Sequence, residues 1–119
     1  MKDGHYFNEY NADIYVQDGK YHRIDGPAIN YFAGPKRGSQ FWYKNGKLHR
    51  EDGPAIIRNS GLQYWYQDGE LHREDGPAVI SPSGKGYWFN NYCYPDIKNN
   101  IQWLIKIQQL KRQKGKEDQ

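Results

Sequence analysis

The chain has 119 residues, the size of one domain, with 36% apolar and 16% aromatic content, so aromatic rings must carry a core that the few aliphatics cannot fill. Seventeen basic residues against fourteen acidic ones give a net charge of +3, a balance from which no general affinity for polyanions follows. A lone cysteine, Cys93, excludes an internal disulfide and favours a reducing, cytoplasmic setting. The opening MKDGHYFNEYN lacks an apolar core, and no run approaches the length of a membrane span, so neither a signal peptide nor a span is expected.

One phrase recurs along the chain. Residues 16–30 read VQDGKYHRIDGPAIN, residues 43–57 YKNGKLHREDGPAII and residues 66–80 YQDGELHREDGPAVI. Asp25, Asp52 and Asp75 stand 27 and 23 residues apart, the extra four falling within Ala33–Ser39. A period in this range marks units that cannot bury their own apolar faces and must stack on neighbours. Each unit opens with an aromatic strand: Ile14-Tyr15-Val16, Phe41-Trp42-Tyr43, Tyr64-Trp65-Tyr66 and Tyr87-Trp88-Phe89. Alternation points Tyr15, Trp42, Trp65 and Trp88 one way and their neighbours the other.

The Asp/Asn-Gly pairs at 18–19, 45–46 and 68–69 predict tight turns. Asp-Gly-Pro at 25–27, 52–54 and 75–77 then bends the chain into a second strand over Pro27–Tyr31, Pro54–Arg58 and Pro77–Ser81, which carries Ala28, Ala55 and Ala78. The stretch between the two strands reads as a loop, with a third strand at ELHR as the competing register. Turns such as Asn59-Ser60-Gly61 lead to the next triplet, giving an antiparallel meander of about seven strands in a single layer. The fourth copy breaks down after Asn91, with Tyr92 at the turn glycine's place. Pro95-Asp96 opens a helix from about Ile97 to Arg112, with Gly115 as its stop. The expected organisation is thus a hairpin array over 1–95, a capping helix over 96–113 and a charged tail over 114–119. Ile97, Ile101, Leu104 and Ile105 make one apolar band of that helix, widened by Trp103, Ile107 and Leu110, which suggests a further contact such as a second copy of the chain.

The segments WYKNGKLHREDGPA and WYQDGELHREDGPA resemble the MORN family (membrane occupation and recognition nexus), whose hairpins carry aromatic-x-x-Gly-x-x-His. Tyr43/Gly46/His49 and Tyr66/Gly69/His72 fit that pattern, and Gly19 and His22 match in the first copy, where Val16 replaces the aromatic. After the histidine the family has Gly-x-Gly, and this chain has Arg-x-Asp-Gly-Pro-Ala. The variant phrase is similar to uncharacterised repeat proteins of bacteriophages and large DNA viruses, whose last unit runs into a helix. The resemblance covers residues 14–92 and implies MORN-like hairpins that serve protein partners or lipid headgroups.

The set His-Arg-x-Asp occurs at His22/Arg23/Asp25, His49/Arg50/Asp52 and His72/Arg73/Asp75. Three equal copies suit loop-holding better than catalysis, which needs one asymmetric constellation. They also stand too far apart to share a metal, whose ligands lie within about 2–2.2 Å of it. No cofactor is expected. Aspartate should accept backbone N–H bonds, arginine should pair with a carboxylate, and histidine should pack on an aromatic while bonding a carbonyl. The expected role is a non-enzymatic protein-interaction module, viral and bound to a host protein that it inhibits. Its contact residues would be Trp42, Trp65, Trp88, Tyr43, Tyr66, His49, Arg50, His72 and Arg73, with Trp103, Ile107 and Leu110 as an interaction or homodimer face of the helix. The alternatives are single-stranded nucleic acid, through aromatic stacking and the basic tail, and an anionic lipid surface.

Overall fold

A computed structural model describes residues 3–7 and 11–117. Strand β1 (Gly4–Phe7) precedes the first unit, formed by β2 (Ala12–Gln17), β3 (Lys20–Tyr21) and β4 (Ile29–Tyr31). The second unit holds β5 (Gln40–Phe41), β6 (Tyr43–Lys44), β7 (Lys47–Leu48) and β8 (Ile56–Ile57). The third holds β9 (Gln63–Tyr64), β10 (Tyr66–Gln67), β11 (Glu70–Leu71) and β12 (Val79–Ser81). The fourth holds β13 (Gly84–Gly86), β14 (Trp88–Phe89) and β15 (Tyr92–Cys93), and helix α1 (Asn100–Glu117) follows.

The main sheet is an antiparallel meander in the order β1-β2-β4-β5-β8-β9-β12-β13, eight strands rather than the seven expected, in a slab 46 × 37 × 18 Å. The segment after each turn is a strand and not a loop: β7 pairs with β6, β11 with β10, and β3 with β2. The competing register therefore wins, because both turn residues take positive φ. Asp18/Gly19 adopt 52° and 72°, Asn45/Gly46 52° and 81°, and Asp68/Gly69 50° and 83°. A turn of this hand closes a two-residue hairpin and forces its arms to pair.

One aromatic residue joins the two tiers of each unit. Trp42 donates its N–H to Ala55 O in the main sheet (2.7 Å) and accepts His49 N–H in the hairpin (3.0 Å). Trp65 does the same with Ala78 and His72, and Tyr15 with Ala28 and His22. The three alanines are fully buried. The hairpins in turn bond one another, Arg50 N to Tyr66 O at 3.2 Å and Gly69 N to Leu48 O at 2.9 Å.

The fourth unit is displaced by one residue. Five residues separate the paired Ile57 and Gln63, but four separate Ile80 and Lys85, so the intervening turn is one shorter. Tyr87 consequently occupies the Trp65 position, its carbonyl accepting Tyr94 N–H at 2.9 Å, and Trp88 pairs with Cys93 as Tyr66 pairs with Leu71. The expected row of Tyr15, Trp42, Trp65 and Trp88 is thus Tyr15, Trp42, Trp65 and Tyr87. The turn survives too: Asn90 and Asn91 take φ of 47° and 68°, so Asn91 rather than Tyr92 fills the glycine place.

Helix α1 starts three residues later than expected and runs past Gly115. Its start is set by Asn99, whose Oδ1 accepts Gln102 N–H at 2.9 Å while Gln102 Oε1 accepts Lys98 N–H at 2.8 Å, a near relative of the capping box. Trp103 is fully buried and forms a core with Tyr87 and Ile107, onto which Phe89, Tyr94, Ile97 and Leu110 pack. The helix thus covers the open end of the array. The expected tail begins inside the helix, and residues 118–119 lie outside the described residues, as do 1–2 and 8–10 of the opening segment.

Candidate functional site

The phrase Arg-x-Asp-Gly-Pro acquires a single explanation. The guanidinium of Arg50 lies over the Trp42 ring (3.8 Å to its centroid), donates from Nε to Asp52 Oδ1 (3.1 Å) and from Nη1 to Pro54 O (3.2 Å). Arg73 repeats this on Trp65, Asp75 and Pro77, and Arg23 on Tyr15, Asp25 and Pro27. A Cβ on Gly53 would come 2.8 Å from Arg50 Cζ, with 2.7 Å at Gly26 and 2.8 Å at Gly76. Each arginine is sandwiched between an aromatic face and a glycine, so the motif works only with both.

Histidine joins units. His22, His49 and His72 accept on Nδ1 the backbone N–H of Asn45, Asp68 and Asn90 in the next turn, at 3.0, 3.0 and 3.1 Å. The expectation that histidine would bond a carbonyl is corrected: the acceptor is the ring, and the proton must then sit on Nε2. His72 Nε2–H donates to Glu74 Oε2 at 3.0 Å. Burial pushes the Glu74 carboxyl up, but hydrogen bonds from Lys111 and His72 outweigh it and hold the group below its usual 4.5. At His49 the matching Glu51 is 3.6 Å away, beyond hydrogen-bond reach.

Three grooves run side by side along this face. The first is lined by Tyr15, His22, Arg23 and Asp25, and the second by Trp42, His49, Arg50 and Ile24 of the unit before. The third adds to Trp65, His72 and Arg73 a ring of carboxylates: Glu51, Asp52, Asp68, Glu70, Glu74 and Asp75.

The expected contact residues divide between two faces. Trp42 and His49 are cross-strand neighbours and share one face, while Tyr43 and Leu48, paired one step on, occupy the other. Tyr43 packs on Tyr21 (5.3 Å between ring centres), and burial, then the neighbouring Tyr21, raises its phenol pKa; burial, then Tyr64, raises that of Tyr66. Trp88 leaves the groove row altogether. Trp103, Ile107 and Leu110 face the sheet, so the helix surface left for a partner or second copy is Ile101, Leu104 and Ile105, with Ile101 73% exposed. Sequence reasoning missed Tyr87, the three glycines beneath arginine and the Asn99 cap. The invariant Arg-to-Gly spacing carried a signal for the glycines, but the shifted fourth unit hid Tyr87.

Among the described residues no group of His, Cys, Asp and Glu is placed to hold a metal, and no helix is long and apolar enough to cross a membrane. Compared with protein-family models, curated proteins and solved structures, the chain finds no match.

Proposed function

We propose that this chain is a non-catalytic protein-interaction module that reads a partner through the groove face of its stacked hairpins. The observation that carries the reading is that the groups resembling a reactive set are spent on structure while the grooves stay open. Every arginine of the motif is held by an aspartate, a proline carbonyl and an aromatic ring, and every histidine Nδ1 holds the next turn. The first two grooves combine an aromatic ring and arginine with the exposed Ile24, the composition favoured where proteins meet. A MORN-like relationship, a viral origin, a cytoplasmic setting and inhibition of a host protein belong to this proposal through the resemblance of the phrase WYxNGxLHRxDGPA alone.

Two observations weigh against nucleic acid. Trp42 and Trp65 each already carry a guanidinium on one ring face, and the third groove is lined by carboxylates. A lipid surface keeps a narrower basis, since Ile101, Leu104 and Ile105 are exposed on a helix that continues through Lys111 and Arg112.

The test is affinity capture with the wild-type chain and with Ile24→Asp, a surface change within the second groove. A protein retained at high salt by the wild type and lost by the variant supports the proposal. Strong, steeply salt-dependent binding to an oligonucleotide or to phosphatidylserine vesicles, with no such protein, overturns it.

A further inference from the structure

The main sheet ends on β1 at one side and on β13 at the other, and the two edges differ. Strand β13 reads Gly84-Lys85-Gly86, a lysine between two glycines, which discourages a further strand. Strand β1 reads Gly4-His5-Tyr6-Phe7, without lysine or proline, and its pairing with β2 runs in unbroken register, without a bulge. All four of its residues are exposed, and among the described residues it has no neighbouring strand on its outer side. The carboxylates beside it are engaged: Asp3 Oδ1 accepts Gly19 N–H at 3.1 Å, and Asp13 Oδ1 lies 3.0 Å from His5 Nε2.

Register decides which backbone groups face outward. Tyr15 donates its N–H to Ala28 O, away from β1. Its neighbours Ile14 and Val16 therefore turn their backbone groups towards β1, where they pair with Tyr6 and Gly4. The N–H and C=O of His5 and Phe7 consequently point out of the sheet. The side chains of these two residues share one face, with 4.9 Å between ring centres. On that face Phe7, 70% exposed, meets Phe32, 44% exposed, edge-on at 6.0 Å. Outward donors and acceptors thus adjoin an exposed aromatic corner.

We propose that β1 is a docking edge for the β1 strand of a second copy of this chain, the two running antiparallel about a dyad between their Tyr6 residues. The strand is complementary to itself in that register. His5 stands opposite the partner's Phe7 and Phe7 opposite the partner's His5, so every outward N–H of the pair meets an outward C=O. The same register sets imidazole beside phenyl across the junction, an aromatic cross-strand pair, and within Gly4–Phe7 no like charges oppose one another. Antiparallel addition continues the step by which each strand of the main sheet joins the next. It consumes the unprotected edge of each copy and leaves only the β13 edges outside, so assembly stops at two. This pairing does not depend on the groove reading above.

The test is sedimentation velocity on the full chain over a range of concentrations. The expected result is a reversible rise from the 14.1 kDa of one chain to twice that mass and no further. A dissociation constant on the order of 10–100 µM fits an interface below about 1,200 Å². In hydrogen exchange the His5 and Phe7 amides should slow as the dimer fills, while that of Tyr6, which faces β2, holds its rate. Phe7→Pro removes an outward N–H and no bond to β2, and should weaken association about tenfold or more. Phe7→Lys keeps the backbone and puts a charge on the edge, which should weaken it about fivefold or more. If Phe7→Pro frees β1 from β2, seen as lost protection at Tyr6, Phe7→Lys decides alone. Leu104→Asp, on the exposed face of α1, should leave the dimer unchanged. A chain that stays single at about 1 mM, well above that constant, overturns the proposal. So does a dimer indifferent to Phe7→Lys or abolished by Leu104→Asp. Growth beyond two copies overturns it as well, since β1 pairing on β13 would build an open filament.

Discussion

Tyr15, Trp42 and Trp65 each lie under an arginine of their own unit, whereas Tyr87, at the matching place in the fourth, lies against Trp103 of the helix, 5.4 Å between ring centres. The replacement extends to hydrogen bonding. Arg50 O accepts from Gln67 Nε2 at 2.8 Å, but Phe89, at the position of Gln67 in the fourth unit, has no donor; Trp103 Nε1 donates to Arg73 O at 2.8 Å instead. With one indole the helix thus supplies both the ring cover that the fourth unit lacks an arginine to give and the bond to Arg73 O that Phe89 cannot make. A capping element need not resemble a repeat if it satisfies the same exposed groups.

That equivalence breaks most visibly at Trp103. Trp103→Ala should cost about 3–5 kcal/mol in urea unfolding, since it empties the core centre and orphans the Arg73 carbonyl. Next is Gly53→Ala, expected to cost about 1–3 kcal/mol by pressing a methyl into the Arg50 guanidinium. Combined with Arg50→Ala the added cost should largely vanish in a double-mutant cycle, and a persistent cost would mean that the glycine serves something other than the arginine. His49→Gln, which disturbs the bond to the following turn, should lose about 0.5–1.5 kcal/mol by the same measurement.

The one-residue displacement of the fourth unit can be tested directly. Asn91→Gly should stabilise by up to about 1 kcal/mol because glycine takes positive φ without strain, and Tyr92→Gly should not. The reverse ranking would restore Tyr92 to the turn. The smallest effect concerns pH. The Glu74 carboxyl sits lower in the folded chain than its usual 4.5, so its stabilisation is present above that value and fades as pH falls through the folded pKa. Glu74→Gln should therefore narrow the gap in melting temperature between pH 7 and pH 3 relative to wild type.

The Asp/Asn-Gly turns, the alternation of the aromatic triplets and the 23-residue step were local facts, written in residues that control φ or pleat, and they specified a β meander with a terminal helix. The third strand in each unit was legible in the same turns but was outweighed by the polar look of KLHR and ELHR. Two-residue arms are too short for hydropathy to reveal, and pairing across the turn makes them strands. The histidine bond was invisible for a different reason. Its acceptor role depends on the neighbouring turn, 18–23 residues away, arriving within 3.1 Å.

Spacing along the chain determined that like residues form rows. Tertiary structure alone decided which residue completes the fourth row, that Trp103 rather than Ile101 faces the sheet, and that Trp42 Nε1 and His49 Nε2 are buried without an acceptor among the described residues. The physical reason is that φ preference and pleat act between sequence neighbours. Burial and hydrogen-bond satisfaction are settled only when distant units come into contact.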